Sequence, residues 1–118
     1  MLFAVPSFAY VGNTYKCKLL GEASVLLGKV EPYKSHSDSL LISKFVWMDN
    51  HVNFIMKDGS ERLEDIRWGS KIGQLHIEDT YWRSSSYRFY EPYLTHSQFM
   101  GGNDWVIIRQ YECLKDYS

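Results

Sequence analysis

Apolar and polar residues alternate along most of this chain, and turn-forming residues interrupt the alternation roughly every ten positions. Successive side chains of a strand point to opposite faces, so the pattern suits half-buried strands and gives no long helix a continuous apolar stripe. The expected order begins with a strand from Asn13 to Leu20, a break at Gly21, a second strand from Ala23 to Val30 and a polar loop from Glu31 to Ser39. Leu40 to Met48 and Val52 to Lys57 form a hairpin about Asp49-Asn50, with Leu41, Phe45 and Trp47 on one face. Asp58-Gly59 leads into Arg62 to Trp68, and Gly69-Ser70-Lys71 into Ile72 to Glu78. Thr80 to Tyr90 reads as one long bent strand or two. Glu91 to Asp104 reads as a loop, with room for a short helix at Ser97 to Gly101, and Trp105 to Leu114 is the last strand. The expected fold class is all-β: a single antiparallel up-and-down barrel or sandwich of about seven to nine strands.

A chain of 118 residues has room for one core, and its hydrophobic fraction of 45% is enough to build it. Residues 10–118 are therefore read as a single β domain. The preceding segment, residues 1–9, is either the tail of a signal peptide or an N-terminal strand. Ser7 and Ala9 are small residues at −3 and −1 before Tyr10, as at a signal-peptidase cut, although no basic n-region precedes them. The first alternative implies a periplasmic or secreted protein; a native Met1 would leave it cytoplasmic.

The two cysteines lie near opposite ends of the chain. Tyr15, Cys17 and Leu19 share one face of the first strand, and Trp105, Ile107, Tyr111 and Cys113 share one face of the last. First and last strands meet when a sheet closes, so a Cys17–Cys113 disulfide is expected, the alternative being two buried free thiols.

Chemistry-bearing motifs are sparse. His36, His51, His76 and His96 show no i, i+2 or i, i+4 spacing, and neither C-x-x-C nor H-E-x-x-H occurs, so no metal and no cofactor is expected. His36, His51 and His96 fall in expected loops and His76 in a strand. There is no G-x-S-x-G turn, and Gly101-Gly102 precedes a strand where a phosphate loop would precede a helix. The net charge of −1 gives little attraction to nucleic-acid phosphate, and no apolar run reaches the roughly 18 residues of a membrane span.

The stretch from residue 81 to 93 is the most informative. It holds Tyr81, Trp82, Tyr87, Phe89, Tyr90 and Tyr93 with Arg83 and Arg88 among them. Alternation puts Tyr81, Tyr87 and Phe89 on one face and Trp82 and Tyr90 on the other, so both faces are aromatic. Aromatics with arginine are the residue types enriched at protein interfaces. The candidate binding residues are Tyr81, Trp82, Arg83, Tyr87, Arg88, Tyr90 and Tyr93.

A first strand carrying Thr14-Tyr15-Lys16-Cys17, a β-meander and a last strand carrying Tyr111-Glu112-Cys113 resemble small periplasmic calycin-like β-barrels, among them the inhibitors of C-type lysozyme. The resemblance covers the two ends and the strand rhythm. The inhibitors' Ser-Gly-x-x-Tyr loop is represented here by Ser84-Ser85-Ser86-Tyr87, without the glycine and with different spacing. The lipocalin Gly-x-Trp is represented by Gly12-Asn13-Thr14, without the tryptophan. No functional residue is carried over; the resemblance implies architecture, and binding in place of turnover. The expected function is a small exported binding or inhibitory module, not an enzyme, that recognises a protein or a cell-envelope ligand through the aromatic–arginine surface. The first alternative is a carrier of a small apolar ligand in a cavity lined by Phe45, Trp47, Phe54 and Trp105. A second is a cytosolic host-interaction protein such as a viral accessory factor. An enzyme would instead place His76 or His96 beside a carboxylate.

Overall fold

The computed structural model describes residues 13–48, 50–69, 74–78, 85–100 and 104–117. The N-terminal segment 1–9 and the candidate residues Tyr81, Trp82 and Arg83 lie outside the described residues. Nine strands form one antiparallel sheet: β1 (Thr14–Leu26), β2 (Lys29–Pro32), β3 (Ile42–Trp47), β4 (His51–Met56), β5 (Glu61–Gly69), β6 (Gln74–Glu78), β7 (Ser85–Tyr90), β8 (Tyr93–Met100) and β9 (Trp105–Asp116). The one helical element described is a 3-10 turn at Asp38–Leu40, capped by the Ser37 side chain. No helix among the described residues is long and apolar enough to cross a membrane.

The sheet curls until its ends meet, because β9 pairs with β1 along its length, from Thr14↔Asp116 to Leu26↔Trp105. On its other edge β1 meets β3 only over Thr14–Lys16 and β2 only over Ala23–Leu26. The result is a barrel fastened at the Thr14 end and open alongside the middle of β1. This settles barrel against sandwich: there is one sheet, and its two ends are joined.

Two expectations about element boundaries are corrected. Gly21 does not break the first strand; it follows a β-bulge inside a continuous β1. The segment from Glu91 to Asp104 is not a loop with a short helix, since Tyr93–Met100 is strand β8. Pro92 misled because it cannot donate to a ladder. It sits instead in the turn Glu91-Pro92, where its missing N–H costs no ladder bond, and Tyr90 and Tyr93 face each other across that turn.

Inward side chains follow the period of two. Tyr15, Phe45, Trp47, Val52, Phe54, Met56, Tyr87, Phe89, Leu94, Tyr111 and Cys113 form the buried cluster, and Ile107 is also buried. Rings fill its centre: Phe45 lies 4.9 Å from Tyr15, 5.8 Å from Phe54 and 5.1 Å from Phe89, centroid to centroid. Such offset and edge-on contacts add to the stabilisation from burying the rings. The cavity lining expected for a carrier is not assembled, because Phe45, Trp47 and Phe54 belong to this packed cluster. Trp105, opposite Leu26, lies at the far end of β1 from Tyr15, the partner of Phe45.

Cys17 and Cys113 face each other across the β1–β9 ladder and form the expected disulfide, with Cα atoms 4.0 Å apart. Beside it, the Tyr111 hydroxyl crosses the interior to accept the Ile42 N–H at 3.2 Å. Ile42 stands where the β3–β4 register shifts, so the phenol satisfies an amide at the irregularity.

Candidate functional site

The candidate aromatic–arginine stretch is divided by the sheet. Tyr87 points inward and is core, correcting its assignment to a binding surface: its ring stacks on Phe54 at 4.5 Å and on His96 at 4.2 Å. Arg88 and Tyr90, out of phase with Tyr87, point to solvent. Tyr90 is 66% exposed and Tyr93, directly opposite, is 47% exposed. Arg88 pairs with Thr95 two rungs further from the turn, on the same face, so the outer face of the β7–β8 hairpin presents Arg88, Tyr90 and Tyr93 together. The face continues through Glu112 of β9, opposite Tyr93, to Lys18 of β1. It is a stiff platform, since every strand residue of the hairpin, Ser85–Tyr90 and Tyr93–Gln98, is in register with a cross-strand partner.

A second, polar site lies inside the barrel. Up to Leu19 the inward residues of β1 are the odd-numbered ones; the bulge between Leu19 and Gly21 shifts the phase, and Glu22 comes to lie opposite Arg109. The Arg109 side chain is 1% exposed and that of Glu22 6%. Arg109 Nε donates to Glu22 Oε2 at 3.1 Å and to Ser35 Oγ at 2.9 Å, while Nη1 donates to Gln98 Oε1 at 3.1 Å. The Ser35 backbone N–H donates to Glu22 Oε1 at 3.0 Å, and its hydroxyl donates to Glu22 Oε2. The Tyr33 ring lies 5.9 Å from the guanidinium carbon. One carboxylate and one guanidinium thus pin the segment after β2 against the open middle of β1.

His96 completes the cluster. It is 4% exposed and sits on β8, not in a solvated loop as expected. Its Nδ1 lies 3.4 Å from Arg109 Nη1. An arginine can only donate, so the ring carries its proton on Nε2, which has no hydrogen-bond partner among the described residues. Burial, then the nearby charges of Arg109 and Arg62, lower the His96 pKa to about 3. Among the described residues, the groups that act on this histidine are the cations Arg109 and Arg62 and the Tyr87 ring, and none is the carboxylate that an enzyme reading would place beside it. His76 lies in β6, opposite Trp68 and Arg88.

The lowered pKa makes stability depend on pH. The unfolded chain binds a proton at His96 below about 6.5, whereas the folded chain does so only near 3. Stability is therefore full above 6.5 and falls as the pH drops between these values, by about 1.4 kcal/mol per pH unit. Urea denaturation at pH 7 and pH 5 should differ by about 2 kcal/mol from this group alone. His96→Gln should flatten that part of the profile. An unchanged slope in the variant would show that His96 is not the titrating group.

Sequence reading named neither Glu22 nor Ser35 as a site residue. A signal for Arg109 was present, because it alternates in phase with Ile107 and Tyr111 and so had to face inward. Glu22 carried no such signal, since its inward position depends on the bulge.

Among the described residues no group of three His, Cys, Asp or Glu could hold a metal ion. No protein-family model, no curated protein and no solved structure matches the chain. The functional reading therefore rests on the residues of this chain.

Proposed function

We propose that this domain is an exported binding or inhibitory module that recognises another protein or a cell-envelope ligand through the outer face of the β7–β8 hairpin. The observation that carries the reading is the outward set of Arg88, Tyr90 and Tyr93, held in register at the end of a stiff hairpin. Tyrosine offers large contact area at low entropy cost, and arginine offers directed donors, so the three together are suited to anchoring a partner. The interior supports the same reading. Among the described residues its apolar half is filled by packed rings and its polar half is tied up in hydrogen bonds. The Cys17–Cys113 disulfide is compatible with an oxidising, exported location.

The test is retention of periplasmic or extracellular extract on immobilised protein, followed by titration of whatever is retained. Tyr90→Ala with Tyr93→Ala should weaken binding about a hundredfold or more, at roughly 2 kcal/mol per hot-spot residue. Both side chains are exposed, so the thermal midpoint should move little. Equal retention by the double variant would overturn the assignment of this face. A large fall in midpoint would show the tyrosines to be structural.

A further inference from the structure

The edge of the sheet at β2 has a specific partner available. Among the described residues β2 pairs only with β1, and its opposite edge is unpaired. The direction of its backbone groups follows from the adjacent turn. Leu27 and Gly28 both have positive φ, 50° and 82°, which makes the β1–β2 connection a two-residue type I′ turn. Leu26 and Lys29 then form the hydrogen-bonded pair that closes it. The Leu27 N–H donates to Asp104 O on the β9 side at 2.9 Å. Bonding alternates along an antiparallel strand, so Val25 also bonds toward β9, and its partner Val30 turns both its N–H and its C=O to the free edge.

Val30 is 74% exposed. It ends a row of outward apolar residues crossing four strands: Phe99 opposite Val106, Val106 opposite Val25, and Val25 opposite Val30. Beside it stand Lys29 and Glu31, both exposed and opposite in charge. Charged residues and a proline on a short edge strand discourage pairing with foreign strands. A second copy of the same strand is a special case. Antiparallel pairing about a two-fold axis at Val30 sets Lys29 opposite Glu31 of the second copy, and Glu31 opposite its Lys29. The two valines exchange both main-chain hydrogen bonds, and the apolar row runs on into its symmetry mate. Gly28 falls opposite Pro32 of the second copy, the next bonded position, where the proline has no N–H to donate, so the ladder is short and centred on the two valines.

We propose that β2 is a homodimerisation edge, pairing antiparallel with β2 of a second copy in the register centred on Val30. The interface is isologous, as closed two-fold symmetry requires, and its charges select that register. It is independent of the hairpin face assigned to partner recognition.

Sedimentation velocity over a concentration series up to about 1 mM tests it. The wild-type chain should sediment with twice the chain mass at high concentration. Lys29→Glu places two like-charged pairs across the axis, as does Glu31→Lys, and each should weaken association about tenfold. The Lys29→Glu/Glu31→Lys double variant restores opposite charges and should dimerise like the wild type. Val30→Pro removes the outward N–H, which bonds to no strand among the described residues, and should give a monomer with an unshifted thermal midpoint. A wild-type monomer throughout the series would overturn the proposal. So would a double variant no better than the single ones, or a dimeric Val30→Pro.

Discussion

Glu22→Ala should destabilise the fold by about 3–5 kcal/mol, one of the largest effects expected of any single substitution in this chain. The carboxylate is the counter-charge to a guanidinium buried in the barrel, and it also holds the Ser35 backbone and hydroxyl. Its removal leaves Arg109 desolvated without an anion, and burying an unpaired charge costs far more than a salt bridge at the surface contributes. Replacing both partners, as in Glu22→Leu with Arg109→Met, should cost much less than the two single changes added together. The apolar pair leaves no orphaned charge. Urea denaturation of the two single variants and the double variant measures this coupling directly. A loss below about 1 kcal/mol for Glu22→Ala would mean that water reaches Arg109 and the pair is effectively at the surface.

Removal of the disulfide is the second large effect. Cys17 and Cys113 are separated by 96 residues, so the bridge closes most of the chain into one loop. Chain-entropy arguments assign a loop of this length about 4–5 kcal/mol, acting through the unfolded state. Cys17→Ser with Cys113→Ser should lower the urea midpoint accordingly, and reductant should do the same to the wild type and nothing to the variant. The bridge joins β1 to β9, the seam at which the two ends of the sheet meet, so its loss should also raise amide exchange along that ladder. An unchanged midpoint would show the seam to be held by its ladder and rings alone. Intact mass before and after reduction establishes how much of the protein carries the bridge.

Most strands were legible because their signal is local. Period-two alternation names the inward face residue by residue, and Tyr15, Phe45, Trp47, Phe54, Tyr111 and Cys113 all lie where it places them. Turn pairs such as Asp58-Gly59 also act locally, and Gly59 indeed takes a positive φ of 89°. Tyr87 was misassigned for a different reason. Alternation put it on a face with Phe89, but nothing in the sequence says which of two aromatic faces is the buried one. His96 was misplaced because Pro92 and Gly101-Gly102 mimic the ends of a long loop, while a turn as tight as Glu91-Pro92 leaves Tyr93 free to start a strand.

The sequence by itself determined an all-β chain with an inward aromatic face and two cysteines on strands that close a sheet. These follow from short-range sterics and the two-residue period, which operate whatever the rest of the chain does. Tertiary structure decided what depends on register. It decided that the sheet curls into a partly open barrel, that Tyr90 and Tyr93 face solvent while Tyr87 does not, and that Arg109 finds Glu22. The last depends on a single bulge at Leu19/Gly21: a one-residue slip sends every later side chain of the strand to the opposite face, and only pairing with a neighbouring strand sets where that slip occurs.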